Sequence, residues 1–260
     1  MSSASGTDRA SYVRKVIVRN PDALFFTSAL PLLFLVVYAG LDGGQHFHEL
    51  RQPGKITMYA RLVASVIVMT VVSGAFADLT IFLVRDREQG VLKRLRSTPV
   101  PIRVFLGGHL VNAMLTSMVL ALLVGTLGWA AYGASLAAGH VLAAVVTVLA
   151  GALACGAAGF ALTSCVRTLN AAGTVVQAAV WTLFFFSGIV FTLSSMPVVV
   201  RALANVFPVR HFYEATLTAF NPNVTGSGFD PVHLGILALW GAAGLAIAVW
   251  KFRWTPSAER

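Results

Sequence analysis

Long runs of apolar residues constrain the fold of this chain more than any other feature of its sequence. A helix needs about 20 mostly apolar residues to cross the hydrocarbon core of a bilayer. Five runs reach this length with few charges, and a sixth is shorter and contains several glycines. We therefore predict an all-α integral membrane protein in which residues 1–260 form a single transmembrane domain with six transmembrane helices. The predicted spans cover residues 22–41, 59–84, 104–132, 140–165, 170–193 and 231–250.

The composition supports a membrane protein and argues against a nucleic-acid partner. Hydrophobic residues make up 57% of the chain and charged residues 11%, which is too apolar for an ordinary soluble domain. The formal net charge of +9 would suit nucleic acid if the basic residues formed a solvated patch. They lie between the apolar runs instead, so we interpret them as a signal of membrane topology.

The positions of lysine and arginine predict the orientation of the spans. If the six spans alternate, fourteen of the 19 basic residues fall on one side of the membrane. The positive-inside rule assigns that side to the cytoplasm, so both termini are expected there. The fourteen residues are Arg9, Arg14, Lys15, Arg19, Arg85, Arg87, Lys93, Arg94, Arg96, Arg103, Arg167, Lys251, Arg253 and Arg260.

Two segments outside the spans have helical patterns of their own. Residues 7–20 have apolar positions at helical spacing opposite basic ones, which is typical of an amphipathic helix on the inner leaflet; a disordered basic tail is the alternative. Residues 194–221 are apolar but carry several charges, and Pro197 and Pro208 divide them into pieces too short to span. We predict that this second segment forms two short helices that re-enter the outer leaflet.

The sequence contains no motif that identifies a catalytic or nucleotide-binding site. Gly54 and Lys55 are arranged as at the end of a phosphate-binding loop, but Glu49 breaks the required spacing. His46 and His48 are the one metal-like pair, and further ligands at a recognisable spacing are missing. We therefore expect no catalytic, cofactor-binding or metal site in this chain.

Asp78 and an aromatic face are the candidates for a transport pathway or a subunit interface. Asp78 lies inside an apolar run, where charged side chains usually face the bundle or a wet cavity. It is about 9 Å from Val84, so a structural polar contact near the inner interface is the alternative to a transport role. The fifth span presents Trp181, Phe184 and Phe185, which suit an apolar pathway, a subunit contact or lipid.

Residues 85–101 form the most informative stretch of the sequence. Val91, Leu92 and Leu95 make an apolar strip among charges, Gly90 precedes it, and Pro99 ends any helix before the third span. The pattern predicts a short amphipathic helix in the cytoplasm between two spans. The alternative, a solvated basic loop, would need neither the strip nor the glycine.

The letters R-D-R-E-Q-G-V-L-K-R-L-R-S-T-P at 85–99 closely resemble the cytoplasmic segment of ABC exporter permeases of the type-2 class. This family includes daunorubicin-resistance and polysaccharide-export permeases, and the resemblance extends to the six spans and both flanking segments. It implies a coupling helix that docks into a separate ATPase subunit, where ATP and Mg are bound. It also implies two ATPase copies and a second permease subunit, identical or homologous. The residues that would contact or position the ATPase are Glu88, Gly90, Leu92, Arg94, Leu95 and Arg96.

The resemblance implies a function in export across a bacterial-type cell membrane, the inner or plasma membrane. We expect a permease subunit, without enzymatic activity of its own, that moves an amphipathic or lipid-like molecule such as a drug or antibiotic out of the cytoplasm. Export of a polysaccharide or lipid-linked glycan is the alternative within the family. An ion-coupled transporter or an intramembrane enzyme would need more ionisable groups at depth than Asp78 supplies.

Overall fold

The computed structural model of the chain describes residues 58–91, 102–132, 136–166, 168–189, 196–221, 224 and 226–251, together with Leu33, Val36 and Val37. The helix predicted at 7–20, the rest of the first predicted span, the histidine pair at 46 and 48, and residues 92–101 lie outside this part. Within the described residues the chain is helical and contains no strand, which confirms the all-α prediction there.

The described helices follow the apolar runs of the sequence. Helix α1 passes without a break through a π-helical segment into α2, because Val71 and Leu79 on either side of that segment keep helical backbone angles. A 3₁₀ turn, Ala138–His140, leads into α4. The elements are α1 (Met58–Val71), the π segment (Val72–Asp78), α2 (Leu79–Glu88), α3 (Ile102–Tyr132), α4 (Val141–Thr163), α5 (Leu169–Ser187), α6 (Val198–Ala204), α7 (Pro208–Ala219) and α8 (Pro231–Lys251).

Four helices of the described part are long and apolar enough to cross a bilayer. They are Tyr59–Glu88, Phe105–Ala131, Ala138–Thr163 and Leu169–Ser187, at the places of the second to fifth predicted spans. Helix α8 lies at the place of the sixth, and its stretch Pro231–Ile247 is apolar but shorter. The total of six spans stays a prediction.

Helix α5 ends earlier than its apolar run. Gly188, with φ 86°, adopts the left-handed conformation that glycine tolerates and that commonly ends helices. The Ser187 hydroxyl donates to the Phe184 carbonyl and accepts from the Ile189 amide, at 2.7 and 3.1 Å. These bonds satisfy backbone groups that the last helical turn leaves open, so the helix ends six residues before the predicted boundary at 193.

Helix α4 occupies the centre of the described bundle and contacts α1, the π segment, α2, α3, α7 and α8. Its small residues allow this, because in lipid they let helix backbones approach closely. A Cβ at Gly156 would lie 2.6 Å from a Leu110 methyl carbon on α3. A Cβ at Gly159 would lie 2.8 Å from the Thr80 hydroxyl of α2, which donates to the Gly159 carbonyl at 3.2 Å.

Helices α4 and α8 approach each other closely at their backbones. A Cβ at Gly244 of α8 would lie 2.7 Å from the backbone carbon of Ala157 on α4. One turn earlier, a Cβ at Gly241 would lie 3.1 Å from Leu153. Glycine is therefore required where α8 crosses α4, and larger residues would push the two helices apart.

The segment between α5 and α8 contains two short helices. Pro197 precedes α6, and Pro208 is the first residue of α7, where its missing amide hydrogen leaves no helical bond unmade. Helix α7 is mostly buried against α4, α1, α8 and α5. Helix α6 exposes Val198, Val199 and Leu203, an apolar face that suits lipid contact. That the segment re-enters the outer leaflet stays a prediction.

A histidine pair joins α7 to α8. The Nε2 atom of His211 lies 2.8 Å from the Asn205 carbonyl, which only accepts, so Nε2 donates. In neutral His211 the other ring nitrogen is then an acceptor, and His233 donates to it across 2.9 Å. The Asp230 carboxylate accepts from the His233 amide at 3.2 Å. Both histidines are therefore hydrogen-bonded within the chain.

The α4–α8 contact can be tested with substitutions on α8. Gly244→Ala would place a methyl group against the Ala157 backbone, so we expect a loss of roughly 1–3 kcal/mol through overpacking. The measurement is the thermal unfolding midpoint in detergent, which should fall. Gly235→Ala is the matched control, because nothing lies within 4 Å of its Cβ. Equal midpoints for the two variants would contradict the described packing.

Candidate functional site

The first four residues of the predicted coupling segment, 85–88, continue α2, and a sharp turn follows at Gln89 and Gly90. The amides of Gln89 and Gly90 donate to the carbonyls of Arg85 and Arg87, at 2.9 and 3.1 Å. Gly90 has φ 70°, a left-handed conformation that disfavours residues with a Cβ. A Cβ here would meet nothing within 4 Å of its own chain, so the glycine serves the turn. The turn follows directly on α2, which ends at Glu88.

Arg87, just before this turn, joins the C-terminal end of α2 to the C-terminal end of α4. Only 4% of the residue is exposed. Its two terminal nitrogens donate to the carbonyls of Thr163 and Val166, at 3.1 and 2.7 Å. The Nε atom lies 3.6 Å from a Glu88 carboxylate oxygen, which is an ion pair rather than a hydrogen bond.

The sequence analysis did not single out Arg87, although its spacing contained a signal. Leu83 and Val84 are buried, and Arg87 follows them by four and three residues on the same helical face. A charged residue that continues a buried stripe needs polar partners. The spacing of residues within α2 could not identify the hydrogen-bond partners of Arg87, because Thr163 and Val166 lie more than 70 residues further along the chain.

The structure describes two of the six predicted docking residues, Glu88 and Gly90, together with Val91 of the apolar strip. Glu88 is partly buried beside Arg87, Gly90 forms the turn, and Val91 is exposed. The roles predicted for Glu88 and Gly90 toward an ATPase stay predictions. The other four predicted docking residues, which lie outside the described part, are Leu92, Arg94, Leu95 and Arg96.

Asp78 is the last residue of the π segment and is exposed on the surface of the described chain. Its helical neighbours Leu79 and Thr80 are buried, so Asp78 lies on the side away from the core. π-Helical segments are rare and occur often at functional sites. An exposed carboxylate in an apolar span is costly in lipid, which favours a wet or polar environment at this position.

The three predicted aromatic residues of α5 divide between the core and the surface. Phe184 is buried, whereas Trp181 and Phe185 are 56% and 42% exposed. Trp181 and Phe184 meet edge to face, with ring centroids 6.3 Å apart. Helix α5 packs beside the π segment and α2, so the aromatic face and Asp78 belong to neighbouring elements. A pathway or subunit contact on this side stays a prediction.

Comparison with known proteins gives a family match. The model of the family described as ABC-2 type transporter matches residues 11–221. The matched region begins within the predicted interfacial helix, includes the segment at 85–101 and extends just beyond α7. No curated protein matches the chain.

The environment of Asp78 can be tested by thiol labelling in a Cys165→Ser background. We expect Asp78→Cys to react with a charged thiol reagent in liposomes, because a carboxylate in an apolar span requires water or polar groups nearby. Leu122→Cys is the control, since Leu122 of α3 is 58% exposed in apolar surroundings and should be shielded by lipid. Equal protection of both positions would contradict a wet environment at Asp78.

Proposed function

Because the chain belongs to the ABC-2 type transporter family, we propose that it is the permease subunit of an exporter driven by a separate ATP-hydrolysing subunit. The match covers most of the chain, and this family is a membrane transporter domain that is not itself catalytic. Its members generally work with ABC ATPase subunits. In this proposal two ATPase copies bind ATP and Mg, and a second permease subunit completes the assembly.

The single observation that carries the docking role is the arrangement at the inner end of α2. A buried arginine holds this end against α4, and the left-handed turn at Gly90 follows at once. A docking segment that starts at a firmly held helix end can pass a movement of the ATPase to that helix. A flexible loop without such a contact could not. The exposed Val91 begins the apolar strip that Leu92 and Leu95 continue in sequence.

We propose that the cargo is an amphipathic or lipid-like molecule, in the drug or antibiotic class. The exposed rings of Trp181 and Phe185 on α5 and the exposed carboxylate of Asp78 combine apolar and charged surface on neighbouring elements. The L-R-S-T-P version of the segment at 95–99 also favours this branch of the family. A polysaccharide or lipid-linked glycan is the second candidate, because sugar rings stack on aromatic side chains as well.

The proposed location is a bacterial-type inner or plasma membrane with both termini in the cytoplasm. The distribution of basic residues supports this orientation, since it places the segment at 85–101 where a cytoplasmic ATPase can reach it. The same orientation leaves α6 and α7 at the outer side, where the proposed export pathway ends.

The docking role predicts unequal effects of two neighbouring substitutions. Leu95→Asp removes an apolar anchor worth roughly 1.5–3 kcal/mol, so we expect ATPase binding to weaken by at least about tenfold. Lys93→Ala removes a charge whose exposed ion pair is worth under about 1 kcal/mol, a change of less than about sixfold. The measurement is the amount of ATPase that co-purifies with each variant from membranes.

The amount of each variant in the membrane is the control for this comparison. Both positions lie outside the predicted spans, so neither substitution should reduce insertion. Each variant should be present in the membrane at the level of the unsubstituted chain. Full ATPase binding by Leu95→Asp would contradict the docking role, and residues 85–101 would then serve only as a topology signal.

A further inference from the structure

The bonds of Arg87 act on the end of a helix, which is where backbone groups lack partners. The last four carbonyls of an α-helix accept no bond within the helix, and the negative end of the helix dipole lies there. Thr163 is the last residue of α4, and Val166 follows three residues later. The planar guanidinium presents parallel donors and can satisfy two carbonyls at once. Arg87 of α2 therefore caps α4 from outside.

The cap is part of a joint between three helices at the inner end of the bundle. Val84 of α2, Val166 after α4 and Ala172 of α5 are buried together. The turn between α4 and α5 is also fixed from its other side, since the Thr168 hydroxyl accepts from the Ala171 amide at 3.3 Å. Arg87 thus binds a turn that is held at both ends, and it connects this turn to α2.

Arg87 also contacts the turn that begins the proposed docking segment, so the cap on α4 is connected to that segment. The Arg87 carbonyl accepts from the Gly90 amide, so the residue is bonded through its backbone to the turn that begins the proposed docking segment. Through its side chain the same residue is bonded to the end of α4. Arg87 therefore bonds the start of the segment to the end of α4, next to the buried contact between Val84 and Val166.

We infer that Arg87 is a positioning residue that couples movement of the ATPase-docking segment to α4. Helix α4 in turn has backbone contact with α8 and buries α7 against Gly151, so its movement reaches the outer helices. The inference rests on the proposed function. A cap that was only structural would stabilise α4 without linking it to ATP.

Cys165 provides a natural reporter for this link. It is an exposed free thiol between Thr163 and Val166, the two residues that Arg87 binds. The experiment uses the complex of the full-length chain with its ATPase in liposomes. It measures the rate of Cys165 labelling with and without ATP plus vanadate, which traps the ATPase after hydrolysis.

We expect ATP to change the labelling rate in the unsubstituted complex and to lose this effect in Arg87→Gln. Glutamine lacks the charge and has one terminal nitrogen where arginine has two, so it cannot reproduce both bonds to Thr163 and Val166, and α4 should no longer follow the segment. ATPase co-purification should be retained, because the docking strip is intact. Arg61→Gln is the matched control, an exposed arginine on the outer end of the same continuous helix, and it should keep the full ATP effect.

If Arg87→Gln does not assemble, Arg87→Lys replaces it. Lysine keeps the charge but not the planar fork, so the ATP effect should be reduced relative to the unsubstituted complex. A full ATP effect in an assembled Arg87→Gln or Arg87→Lys complex would overturn the inference, since Arg87 would then be only a structural cap. An unsubstituted complex that binds ATPase but shows no ATP effect would overturn it too, and would leave the proposed function intact. Failure of the unsubstituted chain to bind any ATPase would instead contradict the proposed function.

Discussion

Close backbone contact around α4 is the constraint on which the rest of the described structure depends. In lipid there is little hydrophobic drive between helices, so association relies on packing and on hydrogen bonds. The glycines of α4 meet α2, α3 and α7, and Gly244 of α8 completes the contact from the other side. Because these approaches leave no room for a larger side chain, the helices hold a defined geometry without a large polar core.

Both ends of α4 are fixed by side-chain hydrogen bonds to distant parts of the chain. At its N-terminal end His140 is buried, and its Nδ1 atom lies 3.1 Å from the Ala219 carbonyl at the end of α7. Gly228, with φ 70°, packs against the His140 ring. At its C-terminal end Arg87 binds the carbonyls of Thr163, the last residue of α4, and of Val166 just beyond it. One helix therefore connects the outer helices to the segment where an ATPase is proposed to dock.

The sequence predicted the elements whose signals are local, and missed the interactions that join distant residues. Four spans follow from apolar length alone, and Pro197 and Pro208 mark where α6 and α7 begin. The family resemblance drawn from residues 85–99 is confirmed by the match over 11–221. The role of Arg87 escaped prediction because its acceptors are backbone carbonyls far along the chain, which leave no pattern in the sequence. The π segment was not predicted from the sequence either.

The central claim is that this permease works by coupling to a separate ATPase through the segment after α2. The most direct test is to purify the tagged chain from its native membranes and measure ATP hydrolysis by the isolated complex. The account predicts an ABC ATPase of roughly similar size in the preparation, with an ATP turnover different from that of the same ATPase alone. A chain that purifies without an ATPase, or one that leaves the turnover unchanged, would contradict it.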